Sequence, residues 1–152
     1  MSMRKVLFND MTLNEKKNLV TVWKNVEIRG YSRHAKQKMN ELSITESMIN
    51  DTWKVNHIIE YKVEDGRTKI MVRGVNAHKC DAQYMVNRTE RTFIGKNLCN
   101  VCLVVDVMSG QVVTVYASPV NARNRYTCRD SYSQMDDNLR KNLETIVKRV
   151  AK

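Results

Sequence analysis

The feature that most limits the possible folds is a strongly apolar stretch between residues 98 and 117. Leu98 to Val107 is the most apolar run in the chain, and Met108-Ser109-Gly110 has the composition of a turn. Gln111 to Ala117 then returns with alternating side chains, which is typical of a β-hairpin. We therefore expect this hairpin to form the centre of an antiparallel sheet.

Before the hairpin, the hydrophobic period changes from helical to alternating near residue 56. Capping signals predict three helices, with N-caps at Thr12, Ser32 and Thr45. Strands are predicted at 26–28, 57–63 and 69–73, with Asp65-Gly66 as the turn between the last two. Residues 74–96 are polar and fit either a long loop or an extra hairpin.

The C-terminal third carries a predicted amphipathic helix with one apolar stripe. Acidic residues lie near its start and basic residues near its end, as the helix dipole favours. The pattern predicts an α+β fold in which helices pack on a roughly four-stranded antiparallel sheet, followed by this helix. We expect a single domain over 1–152, with a core at about 26–117 and a basic loop and helix at 118–152.

The charge balance points to a polyanionic partner. The 152 residues include 26 Lys and Arg against 16 Asp and Glu, giving a formal net charge of +10. Such a balance suits nucleic acid, an acidic protein or an anionic membrane. The apolar run at 6–8 is too short for a signal peptide and no stretch approaches a membrane span, so we expect a cytoplasmic protein with reduced cysteines and no membrane partner.

His34 is the first candidate for chemistry. It lies in the first turn of the helix capped by Ser32, where the positive end of the dipole disfavours the imidazolium and favours a bound anion. A neutral imidazole beside a phosphate suits a general base that activates a ribose 2′-hydroxyl. The alternative, which is the commoner role of such a histidine, is a residue that packs the helix end.

A second set of candidates lies on the strands. Thr114 and Tyr116 are two residues apart, so they share one face of their strand, where they could hold a phosphate or donate a proton. Arg73, at the end of a neighbouring strand, could supply the cation that a pentavalent phosphorane requires. The alternative is that all three are ordinary strand residues on a half-solvated face.

Two further patterns concern metal and nucleic acid. His78, Cys80, Cys99 and Cys102 could form a structural zinc set, but the odd spacing of the last two sends them to opposite faces of a strand, and buried thiols are the commoner alternative. No motif indicates a catalytic metal or a cofactor. The segment 121–132 interleaves arginines with tyrosines, which suits either a single-stranded nucleic acid or a surface loop. Its candidate nucleic-acid-binding residues are Arg123, Arg125, Tyr126 and Arg129, together with Lys36 and Lys38 in the helix of His34.

The run from Tyr31 to about Tyr116 resembles a family of small bacterial and phage domains of unassigned function. The resemblance rests on YSRHAKQKMNELSIT and on VVTVY, set against a family opening of S-x-H-A-x-x-R-M-x-E-R-x-I-S and a closing V-V-T-V-Y. These domains look related to BrnT-type and RelE-type toxins of the barnase–EndoU–colicin–RelE ribonuclease fold. Lys38 and Leu42 stand where that pattern has arginine.

The resemblance implies two helices on a four-stranded antiparallel sheet and, in active members, metal-independent cleavage of RNA. Carried over by position, it assigns catalytic roles to His34, Arg73, Thr114 and Tyr116, with Lys38 beside them. The chain is thus expected to be an RNA-directed, toxin-like protein and potentially an endoribonuclease, with a host or antitoxin protein as a further partner. The alternative is a non-catalytic phage-type protein that binds and inhibits a host protein or nucleic acid.

Overall fold

A six-stranded, mostly antiparallel sheet organises the described part of the chain. The computed structural model describes residues 3–86, 89–120 and 132–150, and for residues 82–96 it describes the backbone alone. The strands run in the spatial order β1-β3-β4-β5-β6-β2, and only the contact between β2 and β6 is parallel. Their bounds are β1 Met3–Leu7, β2 Gly30–Tyr31, β3 Asn56–Glu64, β4 Arg67–Val86, β5 Thr89–Asp106 and β6 Gln111–Pro119.

The α+β class is confirmed, but the predicted number of strands was wrong. The sheet gains two edge strands that the sequence patterns did not indicate. Strand β1 pairs with β3, and the two-residue β2 pairs with β6. Strand β2 also lies at Gly30–Tyr31 and not at the predicted 26–28, because Val26 turns into the core, where it is 3% exposed.

The polar stretch at 74–96 forms the outer part of a long hairpin between β4 and β5. Strands β4 and β5 continue through it as a paired ribbon, with Ala77 opposite Asn100 and Val86 opposite Thr89. The pairing register shifts between Arg73 and Ala77, which interrupts the ladder where the ribbon leaves the main sheet. Of the two interpretations of this stretch, the hairpin is confirmed.

Four α-helices lie within the described ranges, and local capping determines where three of them begin. The hydroxyls of Thr12, Ser32 and Thr45 accept hydrogen bonds from the amides three residues further on, as predicted. None of these helices is long and apolar enough to cross a membrane. Their bounds are α1 Leu13–Lys24, α2 Arg33–Leu42, α3 Glu46–Lys54 and α4 Asp137–Val150.

The sheet has two unlike faces. The first face meets the four helices in one apolar cluster, to which Val72, Leu103 and Val115 contribute from neighbouring strands. The second face carries a smaller cluster of Met71, Cys102 and Val104. Because side chains alternate along a strand, each of the central strands sends consecutive residues to opposite faces.

The C-terminal helix packs on the first face through Leu139, Leu143 and Ile146 and is hydrogen-bonded to a buried phenol of the sheet. Burial raises the pKa of Tyr61 to about 12, so the phenol stays protonated at neutral pH. Its hydroxyl donates to the Leu139 carbonyl (3.1 Å) and accepts from the Asn142 amide, which also donates to Thr68 Oγ1 (3.0 Å). The predicted C-terminal helix is therefore confirmed and is hydrogen-bonded directly to β3 and β4.

A nearly buried carboxylate ties α1 to α4. The Thr12 amide donates to Glu15 Oε1 (2.9 Å), and Arg140 Nε donates to Glu15 Oε2 (2.7 Å). Glu15 is 5% exposed. Burial alone would raise its pKa, but the hydrogen bonds from Thr12 and Arg140 outweigh burial and hold the pKa below its usual value.

We predict that Glu15→Gln lowers the free energy of unfolding by about 1 kcal/mol at pH 7. The amide oxygen of Gln still accepts from Thr12, so the variant removes mainly the charge that faces Arg140. Because the pKa of Glu15 is lower in the folded state, its carboxylate stabilises the fold above the unfolded-state pKa, which is about 4.3 for Glu. This stabilisation is lost as the pH falls through the folded-state pKa. Urea unfolding should therefore show a smaller difference in the free energy of unfolding between wild type and Glu15→Gln at pH 3 than at pH 7. An equal difference at both pH values would contradict this role.

Candidate functional site

A row of residues crosses the second face of the sheet on four neighbouring strands. His57 on β3 lies opposite Arg73 on β4. Arg73 lies opposite Cys102 on β5, and Cys102 lies opposite Tyr116 on β6. Directly opposed residues of antiparallel strands project to the same face, and Cys102 belongs to the second-face cluster. We call these four residues the cross-strand row.

Arg73 is held in place within this row. Its Nη2 donates to Asn100 Oδ1 (3.0 Å), and Asn100 Nδ2 donates to the Gly74 carbonyl (3.0 Å). Helix α3 packs closely against the same backbone. A Cβ atom added at Gly74 would lie only 2.9 Å from Thr52 Oγ1. A cation anchored by its neighbours in this way loses little side-chain freedom when it binds an anion.

Thr114 lies beside the row with an unsatisfied hydroxyl. It is opposite Val104, one step along β6 from Tyr116 on the same face, and is 8% exposed. Its Oγ1 is buried and has no hydrogen-bond partner among the residues that the structure describes. Leaving a buried hydroxyl unpaired costs about 1–3 kcal/mol, so this position lowers the stability of the fold.

Cys102 separates Arg73 from Tyr116 and cannot act as a nucleophile. The residue is fully buried, and burial raises the pKa of its thiol to about 12 although the charge of Arg73 acts in the opposite direction. Only the thiolate is a good nucleophile, and at neutral pH this thiol is protonated. Cys102 therefore serves as a small apolar spacer between two polar side chains.

The four predicted catalytic residues are not all brought together. Arg73, Thr114 and Tyr116 share the second face, as the alternation along their strands predicts. His34 is exposed on α2, and α2 packs on the first face through Ala35 and Leu42. The sheet therefore separates His34 from the other three residues, because the helix that carries it needs the first face for its apolar side.

The predicted nucleic-acid-binding residues fall into three groups. Lys36 is exposed on α2. Lys38 is 8% exposed, because it lies on the inner side of the same helix with Ala35 and Leu42. Of the predicted Arg–Tyr segment, only Tyr132 is described, and its hydroxyl donates to Glu60 Oε1 (2.5 Å). The candidates Arg123, Arg125, Tyr126 and Arg129 lie outside the described residues.

The zinc set does not assemble. Cys80 and Cys99 lie in the first-face cluster, whereas Cys102 lies on the second face. His78 Nε2 lies 2.8 Å from Asp51 Oδ2, and its hydrogen bond, with that of Asn76, lowers the pKa of Asp51. In the part of the chain that the structure describes, no three His, Cys, Asp or Glu side chains come together in a way that could hold a metal ion.

Sequence reasoning missed His57, the histidine that does share a face with Arg73. The pairing register of β3 shifts between Ile58 and Glu60, so counting alternate residues along this strand does not give the face of its first residues. Its position opposite Arg73 depends on tertiary pairing. The one available signal was that His57 opens a strand joined to that of Arg73 by a tight Asp-Gly turn.

Comparisons with known proteins do not identify a function for this site. No protein-family model, no curated protein and no solved structure matches this chain. The resemblance to BrnT-type and RelE-type toxins therefore stays a prediction from the sequence. Strand pairing places a cation, a phenol and a histidine on one face of the sheet, with the buried Thr114 hydroxyl beside them.

We predict that Thr114→Val raises the free energy of unfolding by about 1 kcal/mol, because the change removes an unpaired buried hydroxyl without changing the side-chain shape. Thr52→Val is the matched control, since the Thr52 hydroxyl is also buried but donates to the Met48 carbonyl (2.9 Å). That control should lose stability. Chemical denaturation of both variants tests this, and destabilisation by Thr114→Val would show that the hydroxyl is already paired.

Proposed function

We propose that this chain is an RNA-directed protein whose substrate lies along the second face of the sheet, and that it is a metal-independent endoribonuclease. The observation that carries the proposal is the cross-strand row. It supplies a fixed cation, a phenol and a histidine, which are the groups needed for cleavage by a ribose 2′-hydroxyl.

In the proposed reaction, His57 takes the proton of the 2′-hydroxyl as that oxygen attacks the adjacent phosphorus. Arg73, between His57 and Tyr116 in the row, offsets the negative charge that builds on the phosphorane oxygens. Tyr116 protonates the departing 5′ oxygen as the bond from that oxygen to phosphorus breaks. The products are a 2′,3′-cyclic phosphate and a free 5′-hydroxyl.

A ladder of lysines lies on the same face, together with two arginines that favour a polyanionic substrate. Lys5, Lys62 and Lys69 lie opposite one another on β1, β3 and β4. Like charges in such positions destabilise a sheet, and Glu64 offsets part of this by lying 2.9 Å from Lys69 Nζ and 3.7 Å from Lys62 Nζ. Glu60 and Asp106 on this face balance the rest of the ladder. The net positive charge that favours an RNA backbone therefore comes from Arg67 and Arg73.

A second candidate function is non-catalytic binding of nucleic acid by the same face. It is favoured by the spacing of the row, because three strand-to-strand steps separate the backbones of His57 and Tyr116, a span of about 14 Å. A surface with that spacing can bind an extended single strand without performing chemistry on it. Such a protein would act by covering its target.

An RNA-cleavage assay in EDTA separates these functions, using wild type, His57→Ala, Tyr116→Phe and His34→Ala. We predict that the first two variants lose cleavage by about a hundredfold or more, as expected for removal of a general base or acid. His34→Ala is the matched control, since it also removes an exposed histidine, and it should cleave like wild type.

The product ends should carry 2′,3′-cyclic phosphates. Loss of cleavage in His34→Ala with full activity in His57→Ala would overturn the proposed site. Binding of RNA without cleavage by the wild type would instead establish the non-catalytic function.

A further inference from the structure

A second basic site lies at the end of the sheet where the hairpin turns are. A depression of about 850 Å³ is bordered there by the β3–β4 turn, the β5–β6 turn, β2 and the first turn of α2. Its volume is in the range of small-molecule sites. Three cations from three separate elements line it, namely Arg29, Lys36 and Arg67.

The depression is separate from the cross-strand row. Arg67 and Arg73 lie six residues apart on the same extended strand, a distance of about 20 Å. None of the four residues of the row lines the depression. A small molecule bound in the depression would therefore not cover the cross-strand row.

The backbone beneath the depression is tightly fixed. The Arg29 amide donates to the Gly110 carbonyl (2.8 Å), and a Cβ at Gly110 would lie 2.0 Å from the Glu27 carbonyl oxygen. Gly110 also has φ +74°, which favours glycine. Beside it, the Ser32 amide donates to the Val112 carbonyl (2.9 Å), which positions the helix that carries Lys36.

The carboxylate that borders the depression is already engaged. Asp106 Oδ1 accepts hydrogen bonds from the amides of Met108 (3.0 Å) and Ser109 (3.2 Å), and its side chain is 6% exposed. Arg67 Nη1 lies 3.9 Å from Asp106 Oδ2, and Arg29 Nη2 lies 3.6 Å from Glu27 Oε2. Both arginines are about 70% exposed, so these contacts are weak and leave the guanidinium groups able to bind an anion.

We propose that this depression binds a polyphosphate group, either as free pyrophosphate or as part of a nucleoside diphosphate. Two arginines can each form bidentate hydrogen bonds to phosphate oxygens, and a lysine adds a compact charge beside them. Three convergent cations match the charge of two linked phosphates better than that of a single carboxylate. The site is independent of the proposed cleavage of RNA and would operate whether or not that proposal holds.

Isothermal titration with pyrophosphate, ADP and adenosine tests the proposal. We expect pyrophosphate and ADP to bind wild type and adenosine not to bind. Tighter binding of ADP than of pyrophosphate would identify a nucleotide as the ligand, and equal or weaker binding of ADP would identify the free anion. The triple variant with Arg29, Lys36 and Arg67 changed to Gln should bind about a thousandfold more weakly, at roughly tenfold for each lost contact.

The control is a second triple variant, with Lys17, Lys24 and Lys148 changed to Gln. These lysines are exposed on α1 and α4, away from the depression, and their loss lowers the net charge by the same amount. We expect this variant to bind like wild type, with thermal unfolding confirming that both variants are folded. Equal weakening in both triple variants, or no binding of pyrophosphate and ADP by wild type, would overturn the proposal.

Discussion

The structure depends on the double-sided burial of strand β5. Its consecutive residues between Val101 and Val105 are all buried, and alternation sends three of them to the first face and two to the second. Such a strand is stable only if other side chains cover or flank both of its faces. Each buried methylene group contributes about 0.8 kcal/mol to the free energy of folding. The four described helices pack on the first face, and the candidate residues of the cross-strand row lie on the second.

This division explains why the candidate chemistry lies where it does. Helix α2 packs its apolar side on the first face, so His34 and Lys38 lie on that side of the sheet. Residues of the central strands that point away from the helices meet on the second face, where Arg73 and Tyr116 flank a buried thiol. Basic residues lie in two neighbouring places on the sheet, the lysine ladder on this face and the depression at the end of the sheet, where Arg67 lies two residues from Lys69.

Features set by local interactions could be predicted from the sequence. The N-caps at Ser32 and Thr45 and the Asp-Gly turn depend on neighbouring residues only, and both turn residues have the positive φ that a tight hairpin requires. The edge strands could not be predicted. Strand β1 buries one residue, Val6, and β2 has only two residues, so neither shows a pattern apart from its partner strand.

The candidate site was predictable to the extent that alternation determines it. Thr114 and Tyr116 share a face by their spacing alone, and the spacing of Cys99 and Cys102 correctly predicted their separation. His57 joins Arg73 only through strand pairing next to a register shift. The depression requires Arg29, Lys36 and Arg67 to meet from distant parts of the chain, which no local pattern in the sequence indicates.

The most direct test of this division between the two faces is a titration of ¹⁵N-labelled protein with a short single-stranded RNA, followed by amide chemical shifts. We predict that the largest changes occur at the amides of His57, Arg73, Cys102 and Tyr116, with those of α1 and α4 unchanged. Changes confined to α2 around His34, with the cross-strand row unaffected, would contradict it.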